Sequence, residues 1–248
     1  MESRRGFLSI WATLLTPMCM FLAACGSELA DHTPDYRYRL TVEVETPEGL
    51  RTGSSVIEVR QSMGRSAMSG FGKRIDRRVR GEAVAVDLLG GRTLYALLRS
   101  DDNIDWASYV MPMLAPKIEG EAWEDEFDNV LLIKGTVELP RTWPAHGKLS
   151  RGSAYPMLVT FADERDPKSI ARVDPDDLSA SFGVGVKLRR ITVALTSDPV
   201  TTEIERRLEW LPNYHDKLLD GQRLNSIDAI NRLANDLSRG DFTRESAP

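Results

Sequence analysis

The chain has 248 residues, 42% hydrophobic and 28% charged, with 18 Gly and 13 Pro spread along its length; this excludes a disordered chain or fibrous repeat and suits one large or two small globular domains. The formal charge of −5, from 37 acidic and 32 basic residues, argues against nucleic acid as a partner, which needs a broad basic surface. The 2 cysteines, Cys19 and Cys25, supply neither a disulfide framework nor a four-ligand zinc site.

At the N-terminus Arg4 and Arg5 precede an uncharged apolar stretch over residues 7–24, which contains Pro17 and leads through small residues into a polar segment. So short a stretch, so flanked, reads as an export signal rather than a permanent membrane span. It closes on Leu22-Ala23-Ala24-Cys25-Gly26, which resembles the lipobox of bacterial lipoproteins; the resemblance implies cleavage before Cys25 and acylation of its thiol. Ser3-Arg4-Arg5-Gly6-Phe7-Leu8 resembles the twin-arginine export motif through Arg4, Arg5, Phe7 and Leu8, with Ser9 in place of the common lysine. That implies export of an already folded chain; a general secretory signal with a basic start is the alternative. Gly26 rather than Asp after the cysteine implies sorting to the outer membrane by enterobacterial rules. The layout is then a removed signal peptide at 1–24, a lipidated tether at 25–35 reaching at most about 35 Å, and one domain at 36–248. With Cys25 consumed by lipid, the mature chain has no thiol for catalysis.

From Tyr36 the sequence alternates, with Tyr36, Tyr38, Leu40, Val42 and Val44 on one side and Arg37, Arg39, Thr41, Glu43 and Glu45 on the other, as a half-buried strand does. A turn at Pro47-Glu48-Gly49 and a strand over 54–60 complete a hairpin with a longer loop. Residues 62–80, rich in glycine and arginine, read as a mobile basic loop. Alternation over 82–88, then Gly90-Gly91 and an apolar run over 93–98, predicts a second hairpin. Residues 101–116 turn helical or irregular, and the acidic run 119–128, with Trp123 and Phe127, reads as an exposed excursion. Residues 130–139 and 155–161 look like buried strands. Asp166-Pro167 and Asp174-Pro175 mark short helical turns within 163–185. Residues 186–196 form a strand whose phase slips at Arg189-Arg190, as at a bulge.

The C-terminal part, about 201–240, reads as helical. Thr202 and Glu205 have capping-box spacing, Ile204, Leu208 and Leu211 share a face, and Pro212 ends the pattern. A second helix follows, with Ser226 as N-cap, a buried stripe of Ile227, Ile230, Ala234 and Leu237, and Gly240 as C-cap.

No constellation singles out a reaction. His32, His146 and His215 lack zinc-site spacing and read as surface or capping residues. Asp101, Asn103 and Asp105 match the start of an EF-hand loop, but Trp106 replaces its turn glycine and Pro112 its bidentate Glu. Asp163, Asp166, Asp174, Asp176 and Asp177 could form a carboxylate cage, but such aspartates more often cap turns. Gly183-Val184-Gly185 precedes a strand and reads as a tight turn rather than a dinucleotide fingerprint. The acidic-aromatic run and the basic residues 73–80 are complementary in sign and could meet each other or a partner. Leu158-Val159-Thr160-Phe161, Asp166-Pro167, Val173-Asp174-Pro175, Leu178, Phe182-Gly183, Arg190-Ile191-Thr192-Val193 and Asp198-Pro199-Val200-Thr201 together resemble a pattern of uncharacterised proteobacterial proteins, which implies no activity and assigns no functional residue.

The expectation is an α+β fold: a β-rich body, a sandwich being one arrangement of its strands, with C-terminal helices packed on it. Function reads as a lipid-anchored cell-envelope protein, in the outer membrane facing the periplasm, with a non-catalytic binding or scaffolding role toward an envelope partner. The alternative is a metal- or cofactor-dependent enzyme carried folded by the twin-arginine route. No catalytic residue, metal ligand or cofactor is assigned.

Overall fold

The computed structural model describes residues 33–65, 73–144 and 152–245. The signal residues Arg4, Arg5, Phe7 and Leu8, the lipobox Leu22, Ala23, Ala24 and Cys25, and His32 and His146 lie outside the described residues.

The fold is α+β and β-rich, built on two antiparallel sheets. The first is ordered β10-β3-β2-β1-β9-β6, from β1 (Tyr36–Thr46), β2 (Gly49–Arg65), β3 (Lys73–Glu82), β6 (Thr136–Glu138), β9 (Lys187–Leu195) and β10 (Thr243–Arg244). The second is ordered β4-β5-β7-β8, from β4 (Val84–Asp87), β5 (Thr93–Ala96), β7 (Leu158–Phe161) and β8 (Ile170–Arg172). Alternation in β1 places Tyr36, Tyr38, Leu40, Val42 and Val44 in the interior. There they pack with Val84, Val86, Leu94 and Ala96 of the second sheet, and with Leu98 just after β5, in one core, so the sheets form a sandwich. The opposite face of the second sheet, with Tyr95, Val159 and Phe161, enters a second core with Leu97, Ile204, Leu208, Leu211, Leu219, Ala234, Leu237 and Phe242. The C-terminal helices therefore pack on the strands as the sequence indicates, in a third layer, and the second sheet is buried on both sides.

The bulge is where the phase slip places it: Glu43 pairs with Arg190 and Val44 with Leu188, leaving Arg189 as the extra residue. Other expectations are corrected. The first hairpin has no long loop, because Thr46 pairs with Gly49 across Pro47-Glu48 alone. Residues 62–65 and 73–80 are not a loop but the paired ends of β2 and β3, with 66–72 outside the described residues. Their alternation is masked because Arg77 takes an inward position, its guanidinium stacked 4.9 Å from the Tyr109 ring centroid and 5.6 Å from that of Phe127. Val130 belongs to a 3₁₀ segment, Asp125–Leu132, leaving only β6 as strand within 130–139. β8 and β10, three and two residues long, are too short to show a period.

The C-terminal helices are shorter than the sequence suggests: α3 (Ile204–Arg207), α4 (Arg232–Asp236) and α5 (Arg239–Phe242) follow α1 (Trp106–Leu114) and α2 (Leu178–Phe182). Thr202 does not cap α3; the Glu82 carboxylate accepts the Glu203 and Ile204 N–H groups at 2.6 and 2.8 Å. Glu205 instead pairs with Arg239 at 2.6 Å. Ser226 is not an N-cap and Ile227 and Ile230 are not buried; they are 81% and 108% exposed. Side chains have taken over the backbone here: Asn235 Oδ1 accepts the Ser226 N–H at 2.5 Å and its amide donates to Asp220 and to the Leu224 carbonyl. Asn231 caps α4. Such bonds compete with helix formation, so only Ala234 and Leu237 of the stripe are buried. Gly240 lies inside α5, which a Ser238/Asp241 capping box starts.

Candidate functional site

Helix α1 splits its side chains between two environments. Trp106, Ala107, Val110 and Met111 are buried, and the Tyr38 hydroxyl donates to the Ala107 carbonyl at 2.8 Å, pinning α1 to β1. One turn apart on the outer face, Tyr109 and Met113 are 44% and 46% exposed, an apolar stripe at helical spacing. Opposite stand residues 141–144 and 152–154, which pair through a Thr142–Ser153 bridge and a Trp143 N–H to Gly152 carbonyl bond of 3.0 Å. The cleft between has a volume of about 430 Å³, with Trp106, Tyr109, Val110, Met113 and Trp143 among its lining, a size and character typical of small-ligand or side-chain sites.

Ser100, Asp102, Asn103 and the Trp106 indole are engaged in holding the walls of the cleft, and Lys117 also lines it. Ser100 Oγ accepts the Asp102 and Asn103 N–H groups at 3.3 and 3.1 Å, and Asn103 Oδ1 accepts that of Asp105 at 2.8 Å. Asp102 Oδ2 accepts the Ser153 N–H at 2.8 Å, tying the two walls together, and the buried Trp106 indole N–H donates to the Ala154 carbonyl at 3.0 Å. Beside the cleft, Arg141 sits 5.5 Å over the Tyr155 ring, whose phenol is pushed up in pKa mainly by burial and next by the charge of Glu138. Arg77 holds Tyr109 from the other side and donates from Nε to Gln61 Oε1 at 3.0 Å. What this assembly can do chemically is bury an apolar or aromatic group against a rigid aromatic surface.

The basic residues of β3 and the acidic-aromatic excursion meet each other: Lys73 pairs with Glu124 at 2.6 Å, and Arg77 lies over Phe127, which meets Trp123 edge-to-face at 4.9 Å. The aspartates weighed as a cage do not converge; Asp163, Asp166, Asp174 and Asp177 accept the N–H groups of Arg165, Lys168, Asp176 and Ala180, and Asp176 pairs with Arg141. Asp101 pairs with Arg172, Asn103 caps its own turn, and Asp105 pairs with Arg244. Among the described residues no cluster of three or more His, Cys, Asp or Glu could hold a metal. His215 is exposed, 3.8 Å from Asp216. The cleft itself was not found in the sequence; the exposed Tyr109–Met113 spacing was its one local signal.

No family model, curated protein or solved structure matches the chain. Among the described residues no helix is long and apolar enough to cross a membrane.

Proposed function

We propose that this chain is a lipid-anchored cell-envelope protein, held at the outer membrane through acylated Cys25 and facing the periplasm, where it binds an envelope partner without catalysis. The anchor rests on Leu22-Ala23-Ala24-Cys25, and stable attachment needs more than one acyl chain. The observation that carries the binding role is the cleft beside α1, where exposed Tyr109 and Met113 face Trp143 while Ser100, Asp102 and Asn103 are engaged by the backbone. Aromatic anchors on rigid elements with engaged polar neighbours suit recognition of an apolar or aromatic group.

The test is a photo-crosslinking residue at Tyr109 in the full-length chain in its own membrane, with one at Val184, 93% exposed, as control. A discrete adduct from position 109 and none from 184 is expected; equal or no labelling at the two sites refutes the binding role. The denatured mass of the same preparation reads the acylation of Cys25 independently.

A further inference from the structure

The outward face of the six-stranded sheet carries arginines that its carboxylates do not neutralise. Arg37 on β1, Arg60 on β2 and Arg78 and Arg80 on β3 share that face, with Arg37 opposite Glu58, Glu58 opposite Arg80, and Arg60 opposite Arg78. Like charges directly opposite destabilise a strand pair, so the Arg60–Arg78 pairing is a standing cost. Glu58 lies among them with both oxygens taken: Oε1 accepts from Arg37 Nε and Nη2 at 2.9 and 2.8 Å, and Oε2 from Arg60 Nε at 3.1 Å. Among the described residues neither the side chain of Arg78, which is exposed, nor that of Arg80, which is half-buried, has a hydrogen-bond or ion-pair partner.

Arg60 and Arg80 line a cleft of about 350 Å³, together with Thr201, Thr202 and Thr243. The carboxylates around it are occupied. Glu82 caps α3, while Glu205 and Glu245 both pair with Arg239, at 2.6 and 3.5 Å. Arg244 is committed to the Gly240 and Ile104 carbonyls and to Asp105. Thr201 Oγ1 accepts the Val56 N–H at 2.8 Å, which leaves its proton free to donate. The cleft therefore offers the full fork of Arg80, the terminal N–H groups of Arg60 and threonine hydroxyls, and guanidinium forks match the oxygens of tetrahedral oxyanions.

We propose that this cleft binds a phosphoryl group, held by Arg60 and Arg80, and that the bound anion relieves the repulsion between Arg60 and its cross-strand partner Arg78. The group belongs either to a soluble phosphate compound or to a phospholipid headgroup, and the two present different esters.

The experiment uses the full-length protein in phosphate-free nonionic detergent. Thermal unfolding and calorimetric titration are run with inorganic phosphate, glycerol 3-phosphate and dihexanoylphosphatidylglycerol, against sodium chloride at matched ionic strength. A saturable rise in Tm with at least one phosphoryl compound and none with chloride is expected. Arg80→Met, which keeps the stem and removes the fork, weakens that binding by about tenfold or more. Arg78→Glu replaces the repulsion with an ion pair, so its Tm without phosphate rises above wild type while its phosphate response falls. Arg223→Gln, which removes an exposed pair with Asp216 elsewhere, leaves the response unchanged. The proposal is overturned by the absence of any saturable response, or by a response equally strong in Arg80→Met, Arg78→Glu and Arg223→Gln. A stronger response to the phosphodiester supports a headgroup in the site; one to the monoester or free phosphate supports a soluble ligand in it.

Discussion

Glu58 and Glu82 are both buried carboxylates, and their surroundings move them in opposite directions. Burial pushes the Glu58 carboxyl up, but the hydrogen bonds and charges of Arg37 and Arg60 outweigh it and hold its pKa below the ordinary value. For Glu82 burial dominates, the Ile204 and Glu203 N–H groups oppose it only in part, and its pKa is raised. Below neutral pH the native state therefore binds fewer protons at Glu58 than the unfolded chain, and more at Glu82. Glu58→Gln should lower stability by about 1–2 kcal/mol at pH 7, and the deficit should begin to shrink near about pH 4.3 and disappear as pH falls through the lower pKa of the folded state. Glu82→Gln, which keeps an oxygen for the α3 N–H groups, should gain on wild type as pH rises above about 4.3. Denaturant titrations across that range test both, and curves that stay parallel to wild type would contradict the assignments. Neither role was legible locally: Glu82 caps a helix that begins 122 positions away, whereas Thr202, with the right spacing, does not.

Among the elements, those with a clean period and few competing side-chain bonds were readable in advance. β1 and the bulge of β9 follow from alternation alone, since burial on one face fixes the register. The segment 222–231 misled because Ile227, Ile230, Ala234 and Leu237 keep helical spacing while Asn231 and Asn235 draw off the backbone. Ile227→Ser and Ile230→Ser should each change stability by no more than about 0.5 kcal/mol, whereas Leu237→Ala, in the second core, should cost about 2–4 kcal/mol. Chemical denaturation of the three variants separates this arrangement from an amphipathic helix, for which all three would be costly. Where the sheets approach, a Cβ on Gly53 of β2 would fall on the Ala85 carbonyl of β4. Gly53→Ala is therefore expected to lose about 2–3 kcal/mol by overpacking, read as a lowered denaturation midpoint; an unchanged midpoint would mean that the sheets can separate there.

At the scale of the molecule, the sequence reading reached the fold class and the docking of the C-terminal part, but not the clefts. Each cleft needs segments distant in the chain to converge: α1 with residues 143–144 and 152–153 in one, β2 and β3 with residues 201–205 and 243–245 in the other. No local spacing encodes that. The anchor and export route remain proposals with direct tests. Cys25→Ser should release or misprocess the chain, read by membrane fractionation. Conversion of Arg4 and Arg5 to Lys should stop export by the twin-arginine route, and unchanged export would assign the chain to the general secretory route. The inner position of β1, between β2 and β9, gives that choice a consequence in time. At ~5–20 residues per second, roughly 7–30 s separate the synthesis of β1 from that of β9. A nascent chain exposes the Tyr38–Glu45 edge for that whole interval, an open template for mispairing. Export after folding would place this wait, and the chaperones able to cover it, in the cytoplasm; threading would move it to the far side of the membrane.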